Sequence, residues 1–268
     1  MNDEGVIWIT GAGSGLGEAL ALNIAANGAA RVTLVLSGRR RTQLEGVGQR
    51  CAALGATVQI LPVDLADPDS RKAALVELQR QGIRPETLIN NAGVSQRAPA
   101  EETSCDVDRR LMEVNYLAAV ELTKAVLPGM IAAGRGRICA VSSVAALIPV
   151  PQRSGYNAAK AAQWAFFRTL ANELSGRGIQ VTTAIPGFVR TDISRNAHTG
   201  DGKAWGGMDR NQAGGISPEQ AAGEILRGMR RGRTVVYTGL DLRLRTSLLL
   251  HRLAPALLDR ILRNAEVT

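Results

Sequence analysis

Tyr156 and Lys160 are four residues apart in a run that reads as helix, which puts them on one face. A phenol ordinarily releases its proton near pH ~10, and an ammonium held beside it lowers that value, giving a general acid/base usable near neutrality. The spacing alone is common in helices. Ser143 gives it weight: it closes an apolar strand thirteen residues before Tyr156, where its hydroxyl can reach the same substrate oxygen. The neighbouring Ser142 points to the opposite face of that strand, so it is expected to be structural.

A second group lies near the start of the chain. Thr10-Gly11-Ala12-Gly13-Ser14-Gly15-Leu16-Gly17 follows a short apolar run and opens an Ala/Leu-rich segment. Glycines there allow a tight turn and a close backbone approach to a pyrophosphate, with a helix N-terminus supplying free N–H groups and a positive dipole end. The spacing is G-x-x-x-G-x-G rather than G-x-G-x-x-G, so an ordinary Gly-rich loop stays open as a reading. Ser37-Gly38-Arg39-Arg40-Arg41 ends the next apolar run. An acidic residue there would hold the ribose hydroxyls of NAD. A small residue followed by guanidinium forks suits a 2′-phosphate, which favours NADP(H) over NAD(H), with Arg39 as the contact. Arg40 and Arg41 read equally well as the start of a solvated helix face.

The elements that must carry these residues alternate along the chain. Apolar or β-branched strands are expected at residues 6–10, 31–37, 57–63, 87–90, 136–143, 179–185 and 234–238. Helices are expected at 16–27, 42–54, 70–81, 106–133, 156–175 and 218–230, with Asp67 or Asp69 and Ser217 as caps. Seven strands alternating with six helices predict an α/β fold: one doubly wound parallel sheet with helices on both faces and its ligand at the carboxyl ends of the strands. Residues 196–215 form one long irregular stretch with six glycines, which suggests a lid.

Composition bounds the rest. The chain has 268 residues, 45% hydrophobic and 21% charged, enough for a sizeable core. A small secreted scaffold, a disordered tail protein and a collagen-like fibre are excluded. The net charge is +8, but residues 227–263 alone hold nine Arg against two Asp. The basic excess therefore sits near the C-terminus, and with aromatics at 3% nucleic-acid binding is not expected. Cys51, Cys105 and Cys139 match no metal spacing, and only His198 and His251 accompany them, so no metal site is expected. The start, Met1-Asn2-Asp3-Glu4, has no basic region of a signal peptide, and no run of about 18 apolar residues occurs. The expectation is a cytoplasmic protein.

Together these residues resemble the short-chain dehydrogenase/reductase superfamily, in its branch of roughly 250 residues, from Val6 to about Thr238. Thr10 to Gly17 is similar to the family's glycine motif. Asp64-Leu65 is similar to its adenine contact, and Asn90-Asn91-Ala92-Gly93 to its N-N-A-G. Asn115, Ser143, Tyr156 and Lys160 match its catalytic positions in order. Pro186-Gly187, Val189 and Thr191 match the stretch around the nicotinamide carboxamide. The resemblance implies a Rossmann domain over residues 1–238 with a substrate lid at 192–215. It implies a nicotinamide cofactor on Gly11, Ser14, Gly15, Leu16, Gly17, Arg39, Asp64, Leu65, Asn91, Ala92, Gly93, Tyr156, Lys160, Pro186, Gly187, Val189 and Thr191.

In the implied mechanism Tyr156 is the proton donor or acceptor. Lys160 lowers its pKa and bonds the nicotinamide ribose. Ser143 holds the substrate oxygen, and Asn115 fixes a water that relays protons from Lys160. The expected activity is hydride transfer between NADP(H) and an apolar ketone or secondary alcohol. The alternatives are an NAD-dependent alcohol dehydrogenase and a nucleotide-sensing regulator of the same fold. Relatives commonly form homodimers or homotetramers through their long helices. Val144, Leu147, Ile148 and Pro149 are expected to line the substrate pocket, and Trp205 and Met208 either to cover an apolar substrate or only to anchor the loop. Residues 239–268 form a basic amphipathic extension that Pro255 splits in two. It is expected to cap the pocket, to meet a sister subunit, to lie on an anionic membrane surface or simply to pack on its own domain.

Overall fold

The computed structural model describes residues 5–28 and 31–263; Met1 to Glu4 lie outside the described residues. Seven strands form one sheet: β1 (Gly5–Thr10), β2 (Val32–Gly38), β3 (Thr57–Pro62), β4 (Thr87–Asn90), β5 (Gly136–Val141), β6 (Ile179–Pro186) and β7 (Val235–Thr238). All neighbours are parallel, in the order β3-β2-β1-β4-β5-β6-β7. The order reverses between β1 and β4, where such sheets open a crevice for ligands.

Successive strand residues face opposite ways and bury two layers. Ile7, Ile9, Leu34 and Leu36 meet helices α1 (Gly15–Gly28), α2 (Arg41–Ala53) and α8 (Pro218–Arg230). Trp8, Val35 and Leu88 meet α3 (Pro68–Arg80), α5 (Ala118–Ala133) and α6 (Ser154–Glu173). Asp67 caps α3 by accepting from the Asp69 N–H at 3.0 Å, and Ser217 caps α8 by accepting from Gln220 at 3.1 Å. Register places the carboxyl ends side by side: Thr10 opposite Ser37, Ile9 opposite Ile89, and Asn90 opposite Ala140.

Several expected boundaries move. Strand β5 stops at Val141, because Ser143 turns out of the sheet to cap a short 3₁₀ turn. The expected helix 106–133 is α4 (Cys105–Met112), a π-turn (Glu113–Leu117) and α5. This run is long and apolar enough in composition to cross a membrane, with a mean hydropathy of 1.3, although it holds no uninterrupted apolar stretch of that length. In the fold it lies against the sheet, with Ala118, Ala119 and Leu122 buried. The stretch 196–215 is not structureless: His198 bridges Gln96 and Ala204, and α7 (Arg210–Ala213) interrupts it. The extension folds as α9 (Leu242–Leu253) and α10 (Pro255–Arg263), split at Pro255, with Leu244 and Leu258 packed on Val144, Ile148 and Ile185.

Candidate active site

Thr10 ties the loops of the crevice together. Its hydroxyl accepts from the Asn91 and Ala92 N–H groups, both at 3.0 Å, while the Asn91 side-chain amide donates to the Thr10 carbonyl at 3.0 Å. A Cβ at Gly17 would stand 2.1 Å from the Gly11 carbonyl oxygen and 2.6 Å from Asn91 Nδ2, so only glycine lets α1 start this close to the loop after β4. At the end of β2, Ser37 is fully buried and accepts from Trp8 Nε1 at 2.8 Å. That bond fixes the turn from which Arg39 and Arg40 emerge.

A cavity of about 880 Å³ runs along these strand ends. Its wall includes Gly11, Ser14, Leu16, Gly17, Arg39, Asp64, Leu65, Asn91, Ala92, Gly93, Pro186, Gly187, Val189 and Thr191 from the expected cofactor set, and Ser143, Tyr156 and Lys160 from the expected catalytic set. Two expected members are not part of the wall. Gly15 turns beneath it, its backbone against the Thr191 side chain. Asn115 is fully buried in the π-turn behind Gly93. Its side chain accepts from the Val94 N–H at 3.1 Å and donates to the Val94 and Leu111 carbonyls at 2.9 and 3.0 Å. It is therefore a positioning residue for the Gly93–Val94 loop, since a π-turn re-aims side chains at functional sites.

Tyr156 and Lys160 share a helix face, as expected, and both are buried. Their electrostatics differ from the expectation. Burial pushes the Tyr156 hydroxyl above its ordinary value, outweighing hydrogen bonding to Ser143 and the charge of Arg153, which both lower it. The charge of Arg153 acts on this phenol, and the Lys160 ammonium stands over its ring, 6.0 Å from the centre. Burial lowers Lys160 from 10.5 to about 7. Its ammonium donates to the Val141 carbonyl at 2.8 Å and to Gln163 Oε1 at 3.4 Å, and a Cβ on Gly93 would stand 3.4 Å from it. Ser142 donates to the Lys160 carbonyl at 3.0 Å, the structural role expected of it.

A family model described as short chain dehydrogenase matches residues 5–202. The chain belongs to this family. A relative from Anopheles gambiae, dehydrogenase/reductase SDR family protein 7-like, is 42% identical over 231 residues, covering 84% of this chain and 72% of the relative. Among solved structures, a short-chain dehydrogenase from Sphingobium yanoikuyae in complex with NADPH aligns with a TM-score of 0.80 at 28% identity, over 98% of this chain and 96% of that one. A short chain dehydrogenase from Burkholderia cenocepacia in complex with NADP aligns at 0.78 and 25% identity, over 99% and 100%.

The chain is thus a short-chain dehydrogenase of Rossmann fold and a nucleotide-dependent oxidoreductase. Its residues fit a dinucleotide. The glycine loop and α1 N-terminus lead to one end of the cavity, where Arg39 and Arg40 stand exposed, while Arg41 is turned away to Glu45 at 3.5 Å. Arg40, which sequence reasoning left as helix surface, is part of the wall; only the turn geometry after β2 separates it from Arg41. The substrate end is less as expected. Val144 and Ile148 line it, but Leu147 packs into the core and Pro149 is exposed, and Val150 and Pro151 take their places. Trp205 and Met208 are not part of the wall; of the two expected roles Trp205 takes the anchoring one, its ring under the Arg97 guanidinium at 5.0 Å from the ring centre. Leu244, Ser247 and Leu262 bring the C-terminal extension onto the cavity as its cap.

Proposed function

We propose that this short-chain dehydrogenase exchanges hydride between NADP(H) and a ketone or secondary alcohol. The observation that carries the reading is one continuous cavity with two guanidiniums at its nucleotide end and, further along it, a buried Tyr156 beside the half-buried Ser143. The nicotinamide supplies the hydride when bound; the chain supplies position and proton. The loops Gly11–Gly17, Asp64–Leu65, Asn91–Gly93 and Pro186–Thr191 would hold it, with Arg39 and Arg40 on a 2′-phosphate. Solved relatives with NADPH or NADP bound support that choice of cofactor. Ser143 holds the substrate oxygen beside the Tyr156 hydroxyl. Burial keeps that hydroxyl protonated at neutral pH, which suits it to donate to a carbonyl. Lys160, close to half-charged at neutrality, then returns a proton to the phenolate. The test is NADPH oxidation with a panel of ketones: turnover that Tyr156→Phe abolishes upholds the reading, and equal turnover in that variant overturns it.

The setting is proposed with it: a cytoplasmic homodimer or homotetramer whose C-terminal extension touches an anionic membrane surface. Leu242, Leu249, Leu253, Leu257 and Ile261 are exposed on α9 and α10, between Arg243, Arg245, Arg252, Arg260 and Arg263. Exposed leucines among arginines suit an anionic lipid surface. Co-sedimentation with anionic but not neutral vesicles, lost on removal of residues after Thr238, supports this contact. No sedimentation together with a tail-dependent dimer in light scattering assigns the face to a second copy instead.

A further inference from the structure

Among the described residues, three guanidiniums and two carboxylates line the substrate end of the cavity. Arg97, Arg110 and Arg153 all line it. Arg97 and Arg153 converge on one carboxylate, Asp209, which Arg97 Nη2 reaches at 3.1 Å and which also accepts from the Ser194 hydroxyl at 3.0 Å. Asp209 is 6% exposed and the Arg97 side chain 8%, so this ion pair lies out of water. Burial and the nearby charge of Arg153 both work against the charge on Arg97. The other carboxylate at this end, Asp192, faces Arg195 at 3.5 Å. Arg110, near the end of α4, adds a third guanidinium. Its Nε is buried and has no hydrogen-bond acceptor among the described residues. Arg110 lines the cavity and makes no ion pair among the described residues, and an incoming anion would supply its counter-charge. Arg153 is also close enough for its charge to act on Tyr156, so this positive region adjoins the proton donor. Val144, Ala145, Ile148 and Val150 add an apolar stretch to the wall.

We propose that the substrate carries an anionic group, a carboxylate or a phosphate, which enters this end of the cavity and is held by Arg110 beside the Arg97–Asp209–Arg153 cluster. An apolar portion then lies along the Val144–Val150 wall. Arg110 is the specificity residue of the site, because it alone of the three is not drawn onto Asp209. The inference deepens the oxidoreductase reading by naming the charge of its substrate.

The experiment is calorimetric titration of the full chain in excess NADP⁺ with three matched probes. They are 5-oxodecanoate, its methyl ester, and a phosphate monoester of a hydroxyketone of the same length. The expected result is binding of at least one anion roughly tenfold or more tighter than the ester, a gap worth ~1.4 kcal/mol. Arg110→Gln should bring that ratio below about threefold, and Arg110→Lys, which keeps the charge but not the fork, should retain part of it. The tighter anion identifies carboxylate or phosphate. A smaller preference, no saturable binding of either anion, or a preference that survives Arg110→Gln overturns the proposal. Anion-selective binding without any NADPH oxidation upholds the site and removes the hydride-transfer reading instead.

Discussion

The two ends of the cavity are built on different principles. The nucleotide end is made by backbone: glycine turns, strand termini in register and the Thr10 hydroxyl binding the two loops, with charge only at the rim in Arg39 and Arg40. The substrate end is made by side chains that converge from distant places: Arg97 after β4, Arg110 from α4, Arg153 before α6 and Asp209 from the lid. One end is a rigid cradle that tolerates little change of shape. The other is a charge cluster that holds a loop in place, and its failures should be electrostatic.

The catalytic residue between the two ends should show the largest effect. Tyr156→Phe is expected to cut turnover of a ketone about 10³-fold, the scale of a lost general acid, while NADPH binding stays within about twofold. Steady-state rates beside a fluorescence titration check both halves. Next, at the substrate end, Asp209→Asn removes the carboxylate charge on which two guanidiniums converge. It should cost about 3 kcal/mol in denaturant unfolding, and Arg97→Met in the same chain should recover part of it.

A pH effect of intermediate size belongs to Lys160. The unfolded chain keeps that proton up to about 10.5, and the folded, cofactor-free chain gives it up near 7. The unfolded state therefore binds more protons across this window, so the destabilisation is greatest below pH 7 and is relieved as pH rises. Between pH 7 and 9 the free energy of unfolding should climb by about 2 kcal/mol relative to Lys160→Met. Parallel urea melts at the two pH values read it; identical slopes in both proteins contradict it. The smallest effect belongs to the nucleotide rim. Arg39→Ala should weaken NADPH by about tenfold and NADH by less than twofold, because only the former carries the 2′-phosphate.

The same contrast explains what could be read from the residue order. The nucleotide end was legible because its chemistry needs particular residue types at strand ends: glycines, Asn91, and Pro186-Gly187 each fall directly after an apolar run. Tyr156, Lys160 and Ser143 were legible by spacing. The interruption of the long helix at Asn115 was not, since one residue gained in a π-turn barely disturbs an apolar period. Nor was the direction of the Tyr156 shift, because burial, which decides it, is a property of the packed fold. The arginine cluster was invisible for a related reason. Its arginines are separated by 13 to 56 positions, and each alone reads as an ordinary surface cation. For Trp205 the residue order leaves substrate cover and loop anchor equally open, and the Arg97 guanidinium over its ring decides for the anchor.

The proposed dedication of this cavity to a 2′-phosphorylated nicotinamide cofactor, through the guanidiniums after β2, can be tested without knowing the substrate. Fluorescence titration of the full chain with NADPH and with NADH measures it directly. NADPH binding at least about tenfold tighter, a gap of ~1.4 kcal/mol, is the predicted result. Equal affinities, or tighter NADH, would contradict it.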